Sequence, residues 1–250
     1  MASASAVTAL LAPKNRLVTR VTLREGLRLS QILDLVAKQT KIPRSQLAKA
    51  AKDAEGIGLP ASAKGNAEGY LFPATYDVQP GTTARKLLGD MVGRTEAALR
   101  EAGVPAAREH EILTLASIVQ VEAGSVEDMG KVARVFRNRL AKVDRGIGTL
   151  NSDATVSYAT NSFAITTTPQ QRRSPSPYNT YLKPGLPPGP ISSPGLEAMK
   201  AALSPTPGPW VYFVTVDPDT GETRFSTTLA QHEEAVKIFQ AWLRKHPGRG

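Results

Sequence analysis

A chain of 250 residues, 41% of them hydrophobic, holds enough apolar mass for one large domain or two smaller ones with real cores. It has no cysteine, which excludes disulfides, a thiol nucleophile and Cys-ligated metal, and its three histidines, His110, His232 and His246, lack metal-type spacing, so no metal and no cofactor are expected. The net charge of +9 is uneven: residues 1–108 carry 16 Lys/Arg against 9 Asp/Glu (+7), and residues 109–250 carry 15 against 13 (+2). A basic N-terminal half fits an anionic partner, whether nucleic acid, a membrane surface or a wall polymer. It fits a merely solvated surface equally well, because the charges are spread out. No basic-aromatic module or recognition helix supports nucleic acid.

Residues 1–12 lack a basic n-region and make a poor signal peptide. No stretch of about 18 apolar residues exists for a membrane span, so the chain reads as soluble, or as the soluble part of a longer anchored protein. Leu17 to Leu23 alternates apolar and polar residues and predicts a strand. Glu25-Gly26 is a turn, and Ser30 fits the N-cap of a helix through Ile32, Leu33, Leu35 and Val36. Pro43-Arg44-Ser45 opens a second short helix, and Tyr70 to Val78 gives a second strand region. Residues 17–81 thus form a compact strand-helix-helix-strand unit. Thr82 or Thr83 then caps a helix through Leu87, Leu88, Met91 and Val92, opening a second unit over 82–246. The fold class is α+β.

The segment from Ile112 to Gly124 reads as a helix apolar on nearly every side, with Ile112, Leu115, Ala116, Val119 and Ala123 in one stripe and Leu113, Ile118 and Val121 covering much of the rest. Glu122 sits at the edge of that stripe, and Gly124 suits the C-terminal cap. A carboxylate on a buried helix is costly unless paired, hydrogen-bonded or protonated. Desolvation raises its pKa, which is how a carboxylic acid becomes a general acid near neutral pH. The alternative is a buried ion pair with Arg137 or Arg139. A helix through Met129, Val132, Val135, Phe136 and Leu140 follows, then a short helix around Thr155 to Tyr158, for which Asp153 is an N-cap candidate. Residues 174–195 form a long Pro-rich loop whose tyrosines, Leu and Ile favour order. A helix from Gly195 to Leu203, a hairpin through Trp210–Val216 and Glu222–Ser226, and an amphipathic helix over Leu229–Leu243 complete the chain.

Four segments resemble the endolytic murein transglycosylase (YceG-like) family: Glu68-Gly69-Tyr70-Leu71-Phe72-Pro73-Ala74-Thr75-Tyr76; Ala116-Ser117-Ile118-Val119 leading to Glu122; Val135 to Leu140 followed by Leu150-Asn151-Ser152-Asp153; and Ser176 to Tyr181 with Gly185-Leu186-Pro187-Pro188-Gly189-Pro190-Ile191. The resemblance covers about Leu17 to Leu243. It implies a LysM-like unit over 17–81, an α/β catalytic unit over 82–246, and lytic cleavage of peptidoglycan glycan strands outside the cytoplasmic membrane, beside the synthases that polymerise them. Members normally carry an N-terminal membrane helix, so this chain looks like the soluble part without its anchor. Many relatives have two glutamates where this chain has Gln120 and Glu122, which places the catalytic role on Glu122. Asn151 stands where Gln is common, and Ala154 where Pro is common.

Sugar rings present flat apolar faces and hydroxyls, so Tyr178, Asn179, Tyr181 and Asn151 are candidate substrate-binding residues. Asp153 is a candidate second catalytic or orienting carboxylate, and Glu68 a candidate cleft residue. Three other readings stay open: a lysozyme-like hydrolase with Asp153 positioning water, a non-catalytic peptidoglycan-binding module, and a nucleic-acid binder.

Overall fold

A computed structural model describes residues 18–141, 148–163 and 167–246. The start of the first expected strand, Leu17, and the N-terminal residues 1–12 lie outside them. Strand β1 (Thr19–Thr22) is followed by helices α1 (Leu29–Gln39) and α2 (Arg44–Ala51), and β2 (Thr75–Val78) returns antiparallel to β1 with Val21 opposite Tyr76. The expected order of the first unit is present. Its second strand is shorter than expected, because Tyr70 and Leu71 are buried in the core instead of joining a ladder. The α1 cap also differs from expectation. Helix α1 starts after Arg28, whose N–H donates to the Gln31 side chain at 2.9 Å, and Ser30 already lies inside the helix.

Helix α3 (Ala84–Glu101) is capped by Thr83, whose hydroxyl accepts from Lys86 N–H, and it packs on α2. Helix α4 (Glu109–Glu122) is the axis of the molecule. Every side chain from Ile112 to Val119 is buried, because α5 (Val126–Leu140), α6 (Asp153–Ala159) and α7 (Leu196–Leu203) enclose it. Such a helix has no polar face and must be a core helix. Burial ends abruptly at Val121, which is 47% exposed rather than packed as its sequence position suggested. Ala123, in extended conformation, caps the C-terminus in place of Gly124. The hairpin of β3 (Tyr212–Asp217) and β4 (Glu222–Ser226) sets Phe213 opposite Phe225, and α8 (Leu229–Lys245) lies across it behind a Thr228/Gln231 capping box. One hydrophobic cluster runs from Val21 through α3 and α4 to Ala202. Among the described residues no helix is long and apolar enough to cross a membrane.

Candidate active site

Glu122 is the last residue of α4, placed where that helix emerges from the core. Its Oε1 accepts the Ser152 hydroxyl at 2.6 Å and the Ala154 N–H at 3.4 Å. Ser152 is the N-cap of α6, accepting Thr155 N–H through the same hydroxyl oxygen. The carboxylate is therefore seated at the start of α6, where helices leave backbone N–H groups unsatisfied. The second oxygen, Oε2, accepts no hydrogen bond from the described residues and is not sealed off by them. The residue lies deep in the protein but remains partly open to solvent. Burial pushes its pKa above the ordinary carboxylate range, and the charge of Asp153 adds to that; the Ser152 hydroxyl, the Ala154 N–H and Arg139 pull the other way.

The ion-pair alternative is not what forms. Arg137 pairs with Glu111. Arg139, itself buried, donates Nε to the Val211 carbonyl at 2.7 Å and Nη1 to the Leu150 carbonyl. None of the ion pairs among the described residues involves Glu122.

Asp153 is occupied rather than free. Its Oδ1 accepts Thr167 Oγ1 at 2.5 Å, Tyr181 Oη at 2.9 Å and Arg172 Nε at 3.2 Å, and Oδ2 accepts Arg172 Nη2 at 3.2 Å. It sits in the first turn of α6 and is not the cap, a role that belongs to Ser152. Burial first, then the Asp153 charge, lifts the Tyr181 hydroxyl to about 12. Asn151 is exposed, in left-handed conformation (φ +51°), with Oδ1 accepting Thr149 Oγ1 at 2.7 Å.

The Pro-rich loop is anchored along its length. Asn179, 0% exposed, donates to the Arg172 and Ser174 carbonyls and accepts Tyr181 N–H. Both ends of its amide are spent on loop shape, so the structure moves it from the expected sugar-contact set into the scaffold. Thr180 accepts Ser152 N–H on its hydroxyl and Asn151 N–H on its carbonyl, each at 3.1 Å. Ser117 of α4 accepts Ile191 N–H, and its carbonyl accepts the Ser192 hydroxyl, both at 3.0 Å. His110 bridges two motifs, accepting Tyr70 Oη at Nδ1 (2.9 Å) and donating from Nε2 to the Pro188 carbonyl (2.8 Å). At Gly69 (φ +80°) a Cβ would stand 2.3 Å from Pro190, so the Glu68–Tyr76 segment approaches the loop closely only without a side chain there.

Glu68 is 4% exposed, with Oε1 accepting Leu29 N–H at 2.8 Å, so it serves as a remote cap for α1, and it also lines a small cavity with Arg28, Ser30, Tyr158 and Asn161. Burial lifts its carboxyl to about 7. Tyr178 is half-buried with its ring 4.8 Å from that of Tyr158. Helix α6 thus sorts the candidates: Glu122, Asn151, Asp153 and Tyr181 gather at its N-terminal end, and Glu68 and Tyr178 around Tyr158 at its other end. Sequence reasoning missed Ser152, Thr180 and His110. Ser152 was the most readable, since a serine three residues before Thr155 at a helix start is an N-cap pattern.

The profile of the YceG-like family matches residues 1–238. The chain is 32% identical over 239 residues to an endolytic murein transglycosylase of Bacillus subtilis, covering 88% of this chain and 65% of that one. It is also 32% identical over 178 residues to an endolytic murein transglycosylase of Streptococcus pneumoniae, covering 68% of this chain and 31% of that one. It therefore spans about two thirds or less of the length of these relatives. A solved structure of a yceG-like protein from Listeria monocytogenes superposes with a TM-score of 0.71 at 33% identity, covering 92% of this chain and 80% of that one. The arrangement around α4 and α6, the motif order and these matches agree: the chain belongs to the YceG-like family.

Proposed function

We propose that the protein is an endolytic peptidoglycan transglycosylase in which Glu122 is general acid and then general base. The observation that carries this reading is the asymmetry of the carboxyl: Oε1 is held by Ser152 and Ala154, and Oε2 receives no donor from the described residues. Burial raises its pKa, which favours the protonated form that a general acid needs, and the proton is assigned to Oε2, the oxygen that receives no donor from the described residues. That proton goes to the leaving glycosidic oxygen of a MurNAc–GlcNAc bond. The resulting carboxylate then takes the proton of the MurNAc 6-hydroxyl as that oxygen closes on the anomeric carbon. The product carries a 1,6-anhydroMurNAc end, and no water is consumed.

Hydrolysis by paired carboxylates needs a second free carboxylate across the sugar, roughly 5–10 Å from the first. Asp153 is engaged on both oxygens and Glu68 caps α1, which favours the single-carboxylate scheme. The partly open tyrosines Tyr178 and Tyr181 and the exposed Asn151 are the groups we assign to sugar. The first unit, LysM-like in this reading, holds the strand alongside, and the site of action is the outer face of the cytoplasmic membrane. Glu122→Gln should lower cleavage by about two to four orders of magnitude, the usual worth of a positioned acid-base group. Mass spectrometry of digested peptidoglycan checks both points: wild-type products lack one water relative to hydrolytic ends. Near-normal activity in the variant, or hydrated ends from wild type, sinks the proposal.

A further inference from the structure

Glu68 and Arg28 lie outside the mechanism just described, yet they form a cluster against the far end of α6. Arg28 Nη2 donates to the Ser162 carbonyl at 2.7 Å, just past the α6 C-terminus. Its guanidinium lies 5.5 Å from the Tyr158 ring centre and 4.4 Å from that of Phe163. Glu68 caps the first turn of α1 through Leu29 N–H, and its carboxylate faces both Arg28 and the Tyr158 hydroxyl. Asn66, which accepts Glu68 N–H at 3.0 Å, also reaches the hydroxyls of Tyr158 and Tyr178. Arg28, Leu29, Ser30, Glu68, Tyr158 and Asn161 line a small cavity of about 340 Å³.

Helix α6 has seven residues and, at 1.5 Å per residue, is a rod of roughly 10 Å. Its near end gives Glu122 both of its hydrogen-bond donors. A displacement at Tyr158 is carried to Ser152 and Ala154, because a short helix moves as a unit. A shift of about 1 Å at a catalytic group is enough to cost much of its rate. We infer that Arg28 and Glu68 form a clamp on the C-terminal end of α6 that positions Glu122 through Ser152 and Ala154, making them positioning residues for the cleavage step. The inference rests on the reading of Glu122 as the catalytic acid. It gives the first unit a part in turnover, since both residues belong to the strand-helix-helix-strand region.

The test uses the full chain with Glu68→Gln, Arg28→Lys and Tyr158→Phe. Gln keeps an acceptor for Leu29 N–H, Lys keeps the charge without the planar fork, and Phe keeps the ring. Each variant should lower kcat roughly tenfold with KM within about twofold, as expected for coupled neighbours. The double variant Glu68→Gln/Tyr158→Phe should be no slower than the worse single one. The basic limb of the pH–rate profile should move in each, because the donors to Glu122 have shifted. Amide exchange at Ala154 and Thr155 should quicken roughly tenfold in each, while global unfolding midpoints hold in Arg28→Lys and Tyr158→Phe, as local loosening requires. Unchanged kcat and exchange in all three variants, or losses that multiply in the double variant, overturn the clamp. If Glu122→Gln stays active, the active-site reading fails and takes the positioning role with it, even where exchange still quickens; if Glu122→Gln is inactive but kcat is unchanged in the three variants, the clamp alone fails.

Discussion

At the scale of the residue, the carboxyl of Glu122 is governed by one hydroxyl. Ser152 both donates to it and caps α6. Ser152→Ala should cost about 1–2 kcal/mol of stability through the lost cap, read by urea denaturation. It also removes a group that holds the Glu122 pKa down, so the basic limb of the pH–rate profile should move to higher pH even as turnover falls. Glu68 gives a second expectation. Its carboxyl ionises near 7 in the folded chain against 4.5 as the ordinary value, so the folded state binds that proton more tightly. The stabilisation is complete below pH 4.5 and is lost as pH rises through about 7. Glu68→Gln should flatten stability across that window, measured by unfolding midpoints at several pH values. Glu122 could be singled out from spacing alone, because a carboxylate on an all-apolar helix is anomalous wherever the chain folds. The identity of its donor could not, because Ser152 is 30 residues away and only packing brings it near.

At the scale of the element, periodicity identified the helices and tertiary contacts decided their ends. Ser30 looked like the cap of α1 because a cap is ordinarily local. Here Leu29 N–H is satisfied by Glu68, 39 residues on, and the helix starts earlier. The Tyr70–Val78 segment looked like a long strand because its aromatic residues are apolar, yet only Thr75–Val78 has a partner. Arg139 joins elements in a way sequence pattern does not reveal: from α5 it holds the carbonyl of Leu150, just before the Asn151–Asp153 turn, and that of Val211 beside the hairpin. Arg139→Met fills similar space but leaves both buried carbonyls without their partner. At about 1–3 kcal/mol for each unsatisfied group, this should be among the more damaging single changes outside the cleft. A guanidinium denaturation midpoint checks it, with a loss under about 1 kcal/mol counting against the argument.

At the scale of the whole molecule, the boundary expected near residue 81 does not interrupt the apolar core. Leu47 and Ala50 of α2 and Leu87, Leu88 and Met91 of α3 belong to the same cluster as α4 and α7. Scanning calorimetry of the chain should therefore give one transition with matching calorimetric and van't Hoff enthalpies. Two resolved transitions would mean that the strand-helix-helix-strand unit folds independently. The α+β class, the motif order and the catalytic candidate were legible in sequence because each is carried by local pattern. The sharing of α6 between two clusters was not, since it depends on a loop whose course no periodicity encodes.

The Pro-rich stretch over 174–195 has a consequence for how the chain meets proteases. Written out, it looks like a linker ready to be cut. Folded, Asn179, Thr180 and Ile191 through Ser193 are buried, and hydrogen bonds to α4 and to the start of α6 hold both of its arms. Cleavage needs a length of slack backbone, and this stretch offers only the exposed bend at Leu182 to Pro184. Nicking that bend would leave the two arms tied to separate helices, so the surroundings of Glu122 would persist after the covalent chain had been broken.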